Sequence, residues 1–356
     1  MRLRRWVITL WLAYPLPVMA AQPDMSEQVQ AQPKAAATFT FIPRDPAKIP
    51  QGEFGDKVRK GYDLMSNTQQ LKGRYVGNHL NCSNCHLGNG AQAYSTPLWA
   101  AYLAYPAFRA KNNHVNTFAE RVQGCFNYSM NGKAPALDSP EVVALSAYSY
   151  WLLMGGLLDM SGQANTPVPE LSDKQLQLGG NDPSFALPEP VAKQVNEMGR
   201  QNLPGRGFPA LPAPASAPSP DQGHLVYTQH CAVCHGVSGG GTYADGVAGM
   251  PALWGNDSYN WGAGMHRINT AAQFISENMP LGKPIQLTPQ QAWNVAAYIN
   301  SQQRPQDPRF NGNLASTRHA FHNSEQCYYG KTVDGVLLGG EAHPSATGVT
   351  SPPSSK

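Results

Sequence analysis

Two five-residue stretches decide how this chain is read: "CSNCH" at residues 82–86 and "CAVCH" at residues 231–235. Cys-x-x-Cys-His is the attachment signature of a c-type haem. The two thiols add to the vinyl groups of the haem, and the adjacent histidine is held under the iron as the proximal ligand. Geometry dictates the tight spacing, because both thioethers and the imidazole must reach one macrocycle. Short disulfides, a redox Cys-x-x-Cys or half of a zinc site would each leave the two following histidines without a role. The sequence therefore predicts two covalently bound haem c groups. One sits on Cys82 and Cys85 with His86 on its iron, the other on Cys231 and Cys234 with His235.

Upstream of the first motif the chain opens "MRLRRWVITLWLAYPLPVMAAQ". Basic residues, a short apolar run broken by prolines and small residues at Ala20 and Ala21 are the layout of a secretory signal peptide over residues 1–20. Cleavage near Ala20 and Ala21 removes Arg2, Arg4 and Arg5, so the formal charge of +3 falls to about zero. Periplasmic residence follows. So does the expectation of no global basic pull on nucleic acid or on a membrane surface, and any anion site must be local. No later run suggests a membrane span. The longest, residues 142–158, is short and holds tyrosines and glycines, and it reads as a buried amphipathic helix.

A chain of 356 residues suits two modest domains plus appendages. Residues 21–50, rich in Ala, Gln and Pro, read as a flexible entry segment. The expected first domain covers 51–202, a Pro/Ala/Ser-rich linker 203–220, a second domain 221–308 and a C-terminal extension 309–356. Each domain repeats one plan: a helix leading into the haem motif, a loop, and a last helix opening on a capping residue and a proline, at Ser139-Pro140 and Thr288-Pro289. The repeated plan resembles the class I cytochrome c domain, over roughly 55–160 and 221–305, and predicts a mainly α fold of two such domains joined by the Pro-rich linker. In such domains a loop proline's carbonyl often accepts the proximal histidine's ring N–H. Pro97 and Pro251 stand in the matching loops.

The distal ligands are less direct. Met279 in "SENMPLGK" stands nine residues before Thr288, where such domains carry their methionine ligand. His266 competes, in what reads as a surface turn. Aligning the halves puts Met130 nine residues before Ser139. Repetition thus favours Met130 for the first iron, leaving Cys125 spare and open to pairing with Cys327, and giving a plain electron carrier with two His/Met haems.

The longer stretch "YPAFRAKNNHVNTFAERVQGCFNYSMNGK", both haem motifs, "NMPLGK" and the tail "FHNSEQCYYGKTVDG" together resemble the dihaem thiosulfate dehydrogenase (tetrathionate synthase/reductase) family. The resemblance implies an enzyme coupling two thiosulfate to tetrathionate with release of two electrons, and a soluble cytochrome c or similar carrier as electron partner. It implies that the first domain is catalytic, with Cys125 as distal ligand of the first haem, and that the second haem, held by His235 and Met279, transfers electrons. It also implies Arg121 and Ser129 at the reaction, and Arg109, Lys111, Arg121 and Ser129 around the substrate. Some members carry a lysine just before the second-haem methionine; this chain has Asn278.

Overall fold

The structure, a computed structural model, describes residues 41–340 apart from residues 110, 201–202, 204, 245–246 and 283–284. The expected signal peptide, most of the entry segment and the end of the C-terminal extension lie outside the described residues.

The first half runs α1 (Glu53–Ser66), the Cys82–Asn84 turn of the first haem motif, α2 (Leu98–Ala104), an antiparallel hairpin of β1 (Ala107–Arg109) and β2 (His114–Asn116), α3 (Phe118–Gly124) and α4 (Pro140–Met160), then α5 (Asp173–Leu178) and α6 (Glu189–Met198). The second half runs α7 (Pro220–His230), α8 (Ala232–His235), a hairpin of β3 (Thr242–Ala244) and β4 (Val247–Met250), α9 (Ile268–Asn278) and α10 (Pro289–Asn300). The tail adds α11 (Leu314–Phe321) and a small hairpin of β5 (Thr332–Val333) and β6 (Val336–Leu337). The molecule is mainly α, as the sequence predicts.

The last helix of each half starts where its capping pattern predicts. Ser139 accepts from the Val142 amide ahead of α4. Thr288 and Gln291 cap each other's backbone ahead of α10. One expectation changes: α4 is not amphipathic but buried all round, from Glu141 to Leu158. It is long and apolar enough to cross a bilayer, yet the protein's own core encloses it.

The two halves share one packing device. Gly61 of α1 lies against the Ala144 carbonyl of α4, with Tyr148 alongside, and Gly223 of α7 lies against the Asn294 carbonyl of α10, with Tyr298 alongside. A Cβ at either glycine would collide with backbone. Only glycine lets the helix leading to each haem motif cross so close to the last helix. The crossing fixes where each Cys-x-x-Cys-His begins.

Residues 41–50 correct the expectation of a flexible segment. Phe41 is buried and stacks on Trp99 with ring centroids 4.0 Å apart, in space that Gly156 leaves open. Arg44, also buried, pairs with Asp159 at 2.6 Å. Apolar contact and a shielded ion pair offset the entropy of ordering this stretch. The Pro-rich connection is also seated: the Tyr94 amide donates to the Gly205 carbonyl at 2.7 Å and the Trp293 indole to the Pro212 carbonyl at 2.9 Å.

Replacing Gly61 or Gly223 by alanine should lower unfolding free energy by about 1–3 kcal/mol, the usual range for overpacking. Chemical denaturation of the holoprotein, followed by tryptophan fluorescence and haem absorbance, checks this.

Candidate active site

Each haem motif presents its donors in the pattern that covalent attachment needs. His235 donates Nδ1–H to the Pro251 carbonyl at 2.9 Å, as expected. His86 differs: its Nδ1 meets the carbonyl of Thr96 at 2.6 Å, one residue before Pro97. Thr96 holds a left-handed backbone, φ 53°, which turns that carbonyl onto the ring. In both rings the hydrogen bond fixes the tautomer and leaves Nε2 with its lone pair for a metal.

The first motif opens on an apolar cavity. Cys82, Cys85, His86 and Cys125 line it together with Leu80, Leu98, Phe118, Phe126, Met130 and Leu145. Paired thiols, an oriented imidazole and hydrocarbon walls fit a haem. The second motif sits beside its own core, against which Cys231 and Met279 both pack. Met279 follows the last turn of α9, and its amide donates to the Ile275 carbonyl at 2.9 Å.

Cys125 and Met130 line the same cavity, so position alone does not separate them. Surroundings do. Met130 is an ordinary core side chain, 3% exposed. Cys125 opens a π-helical turn, Cys125–Ser129, directly after α3. Such widened turns are uncommon and cluster at functional sites. Thr117 and Glu120 cap α3 reciprocally, which sets the phase that brings Arg121 over Cys125. Arg121 Nη1 donates to Cys125 Sγ at 2.9 Å. Burial by itself pushes the Cys125 thiol up, but the Arg121 guanidinium first, then the neighbouring His86 ring and the charge of Arg109, bring it down to about 6. Arg121 is raised in turn, chiefly by the Cys125 thiolate. Cys125 is thus a half-buried sulfur drawn toward its thiolate form, in the same cavity as His86.

Beside this cavity lies a second one of about 590 Å³, and it is basic. Arg109, Lys111 and Arg121 line it, as the sequence predicts, and so do Arg267 and Arg309, which sequence reasoning missed. Arg309 belongs to the tail. Nothing local in "DPRFNGN" marks it; only the tail's return across the molecule brings it here. Tyr105, also missed, accepts from Arg109 Nη1 at 2.8 Å and hydrogen-bonds Arg121. Lys111 lies over the Tyr128 ring, 3.8 Å from its centroid, and donates to the Gly262 carbonyl. Burial, then Arg309 and Arg121, bring the Lys111 ammonium down to about 7. Ser129, at the end of the π-helical turn, lines both cavities and marks where they meet.

The second half builds part of this wall. Asn260 Nδ2 donates to the Asn127 carbonyl at 2.9 Å and to Asn131 Oδ1 at 3.1 Å, and its amide donates to the Tyr128 carbonyl. Asn278 turns toward the first half, donating to the Tyr94 carbonyl at 3.1 Å and accepting from Gln92 at 3.0 Å. His266 is not on a surface turn. It is buried and joins His322 and Cys327. Cys125 and Cys327 are both free thiols.

Residues 220–303 match the family model described as Cytochrome c. The chain is 44% identical over 318 residues to a thiosulfate dehydrogenase of Stutzerimonas stutzeri (strain A1501), covering 89% of this chain and 90% of that one. It is 41% identical to a thiosulfate dehydrogenase of Thiomonas intermedia (strain K12), covering 95% of both. Among solved structures it resembles thiosulfate dehydrogenase (TsdBA) from Marichromatium purpuratum in its as-isolated form, with a TM-score of 0.70 and 41% identity. That match covers 85% of this chain and spans 57% of the other.

Asn260→Ala would leave buried acceptors on the π-helical turn unpaired. It should cost about 1–3 kcal/mol, read as a lowered denaturation midpoint, with looser packing of the turn visible as faster amide exchange at residues 125–131.

Proposed function

The chain belongs to the thiosulfate dehydrogenase family of oxidoreductases, and we propose that it joins two thiosulfate ions into tetrathionate at Cys125, reversibly. One observation carries this reading: Cys125, in the thiol-lined cavity of the first haem motif, is paired at 2.9 Å with Arg121, one of five cationic side chains lining the adjoining cavity, and Ser129 lines both.

Coulomb's law explains why the cations are needed. Two dianions about 4 Å apart repel by about 16 kcal/mol at an effective dielectric of 20. A mature chain of about zero net charge offsets that only by clustering cations. Arg109, Lys111 and Arg121 hold the two sulfonate ends, Arg267 and Arg309 extend the same wall, and Ser129 donates its hydroxyl to a sulfonate oxygen at the mouth of the thiol-lined cavity.

Cys82, Cys85, His86 and Cys125 would hold one haem c, and Cys231, Cys234, His235 and Met279 a second; bound there, the two would supply one-electron acceptors, with a soluble cytochrome c or similar carrier as the electron partner. The rest is chemistry of the chain's own residues. Freed from iron, the Cys125 thiolate would bond to the terminal sulfur of one thiosulfate, giving an S-sulfonated disulfide as two electrons leave to the two one-electron acceptors. The terminal sulfur of a second thiosulfate then attacks that same sulfur. Cys125 leaves as thiolate and tetrathionate is released, a thiol–disulfide exchange. Arg121 keeps Cys125 anionic, which makes it both nucleophile and leaving group. Asn278 stands where some family members carry a lysine that can replace the methionine, so by that resemblance Met279 would serve the second iron in both redox states. Export by residues 1–20 places the protein in the periplasm.

The competing assignment gives the first iron Met130 and makes the protein a carrier alone. Thiosulfate oxidation and tetrathionate reduction by purified holoprotein, with near-infrared spectra of the oxidised haems, separate the two. Cys125→Met with both haems loaded should lose at least about 10³-fold in turnover, as expected when a nucleophile is removed; full turnover would sink the proposal.

A pH dependence follows from Lys111. Its folded value of about 7 means that it is charged below that pH and neutral above it. Thiosulfate stays a dianion throughout, so KM should rise as pH climbs through 7. Lys111→Met should flatten that limb with a uniformly higher KM. Lys111→Arg should hold the low KM to higher pH. Initial rates across about pH 5.5–9, a window that brackets the lowered value and stops short of the ordinary lysine value, check this.

A further inference from the structure

Cys327 has no part in the proposed reaction, yet it is fully buried beside two buried histidines. Cys327 is 0% exposed, His322 1% and His266 4%. One donor atom from each of the three lies within 4.8 Å of the others.

The hydrogen bonds around the rings fix where their lone pairs point. His266 turns Nδ1 onto the Ala263 carbonyl, which accepts only, so Nδ1 carries the proton and Nε2 the lone pair. His322 turns Nε2 onto the Asp307 carboxylate at 2.9 Å, so Nε2 carries the proton and Nδ1 the lone pair. The two free nitrogens then face each other at 3.4 Å, and Cys327 Sγ is 3.5 Å from His322 Nδ1. Two lone pairs and a sulfur converge on one point with no hydrogen between the nitrogens. An electron-pair acceptor is what this arrangement lacks.

The spacing suits a tetrahedral ion. Metal–nitrogen bonds of about 2.05 Å and a metal–sulfur bond of about 2.3 Å, at tetrahedral angles, put nitrogens about 3.3 Å apart and sulfur about 3.5 Å from nitrogen. Both orienting bonds have the form that metal-bound histidines use: one imidazole backed by a carboxylate, the other by a backbone carbonyl. Tyr329 stacks on His322 with ring centroids 4.1 Å apart and limits its rotation.

We infer that His266, His322 and Cys327 form a metal site for a thiophilic d10 cation, zinc(II) or copper(I), separate from both haems. The thiol proton leaves as the cation binds, and no electron is transferred. Imidazole and thiolate together favour these ions over magnesium or calcium. All three ligands also line the basic cavity, so a water or an anion from that cavity completes the tetrahedron. Asp307, which orients His322, is bonded to Arg309 at 2.5 Å. Arg309 lines the same cavity, and this ties the metal site to the cations proposed to hold thiosulfate.

Elemental analysis of holoprotein from zinc- and copper-replete cells, desalted without chelator, tests this. About one zinc or copper per chain is expected in addition to haem iron, and which element is found identifies the ion. Haem-loaded Cys327→Ala and His266→Phe should retain less than about a tenth of it. Asp307→Asn should weaken affinity by about 10–100-fold, as loss of an orienting partner does, in a titration against a chromophoric chelator. Iron alone in the wild type, with no uptake from a tenfold excess of zinc chloride or copper(I), would overturn the inference, as would unchanged metal content in both variants. If the variants fail to fold, anomalous scattering at the zinc and copper edges from wild-type crystals decides: a peak between the three side chains supports the site and its absence refutes it. Turnover of thiosulfate is not the readout, so failure here leaves the role of Cys125 untouched.

Discussion

Everything at the candidate site depends on keeping a thiolate inside an apolar cavity. Burial opposes the charge, and without compensation Cys125 would be an inert thiol. Arg121, one helical turn earlier and bonded to the sulfur, reverses that. The guanidinium is itself buried and needs the thiolate as much as the thiolate needs it. Tyr105 takes up further guanidinium donors, and the cap at Thr117 sets the phase of the helix carrying Arg121. Remove any of these and the cavity is one more hydrocarbon pocket.

The π-helical turn adds the second constraint. Along the widened turn Cys125–Ser129, Cys125 lines the thiol-lined cavity and Ser129 lines both cavities, while Met130 belongs to the core. Such a turn leaves backbone groups in irregular positions, and buried groups of that kind need partners. Asn260, from the other half of the chain, supplies them. The second half therefore also holds the π-helical turn in shape, which gives the two halves a structural reason to be one polypeptide.

Local rules carried much of the reading. The haem motifs, the capped last helices and the basic run before Cys125 are short-range patterns, legible because their chemistry requires fixed spacing. Reading failed where the determinant is distant. Residues 41–50 look like a polar entry segment until Phe41 meets Trp99. His266 looks like part of a surface turn until the tail brings His322 and Cys327 against it. Arg309 is one arginine among many until Asp307 and the rings of Tyr128 and Phe321 position it in the basic cavity. Pro97 was one residue away from the carbonyl that holds His86, because the left-handed Thr96 is a backbone choice with no signature in composition.

The choice between Cys125 and Met130 shows the division best. By itself the sequence determined that there are two haem-attachment motifs on two similar helical frames, and that both sulfur residues lie ahead of the first frame's last helix. Their spacing is compatible with either as ligand, since a loop can present any of its side chains. Tertiary structure decided which sulfur an arginine reaches. Only in the folded chain does Arg121 reach one of them, do residues from the second half and the tail close a cationic wall beside it, and does the other sink into hydrocarbon. Electrostatics in a buried site is set by what surrounds a group in space, and that neighbourhood is assembled from segments that lie as much as about half the chain apart.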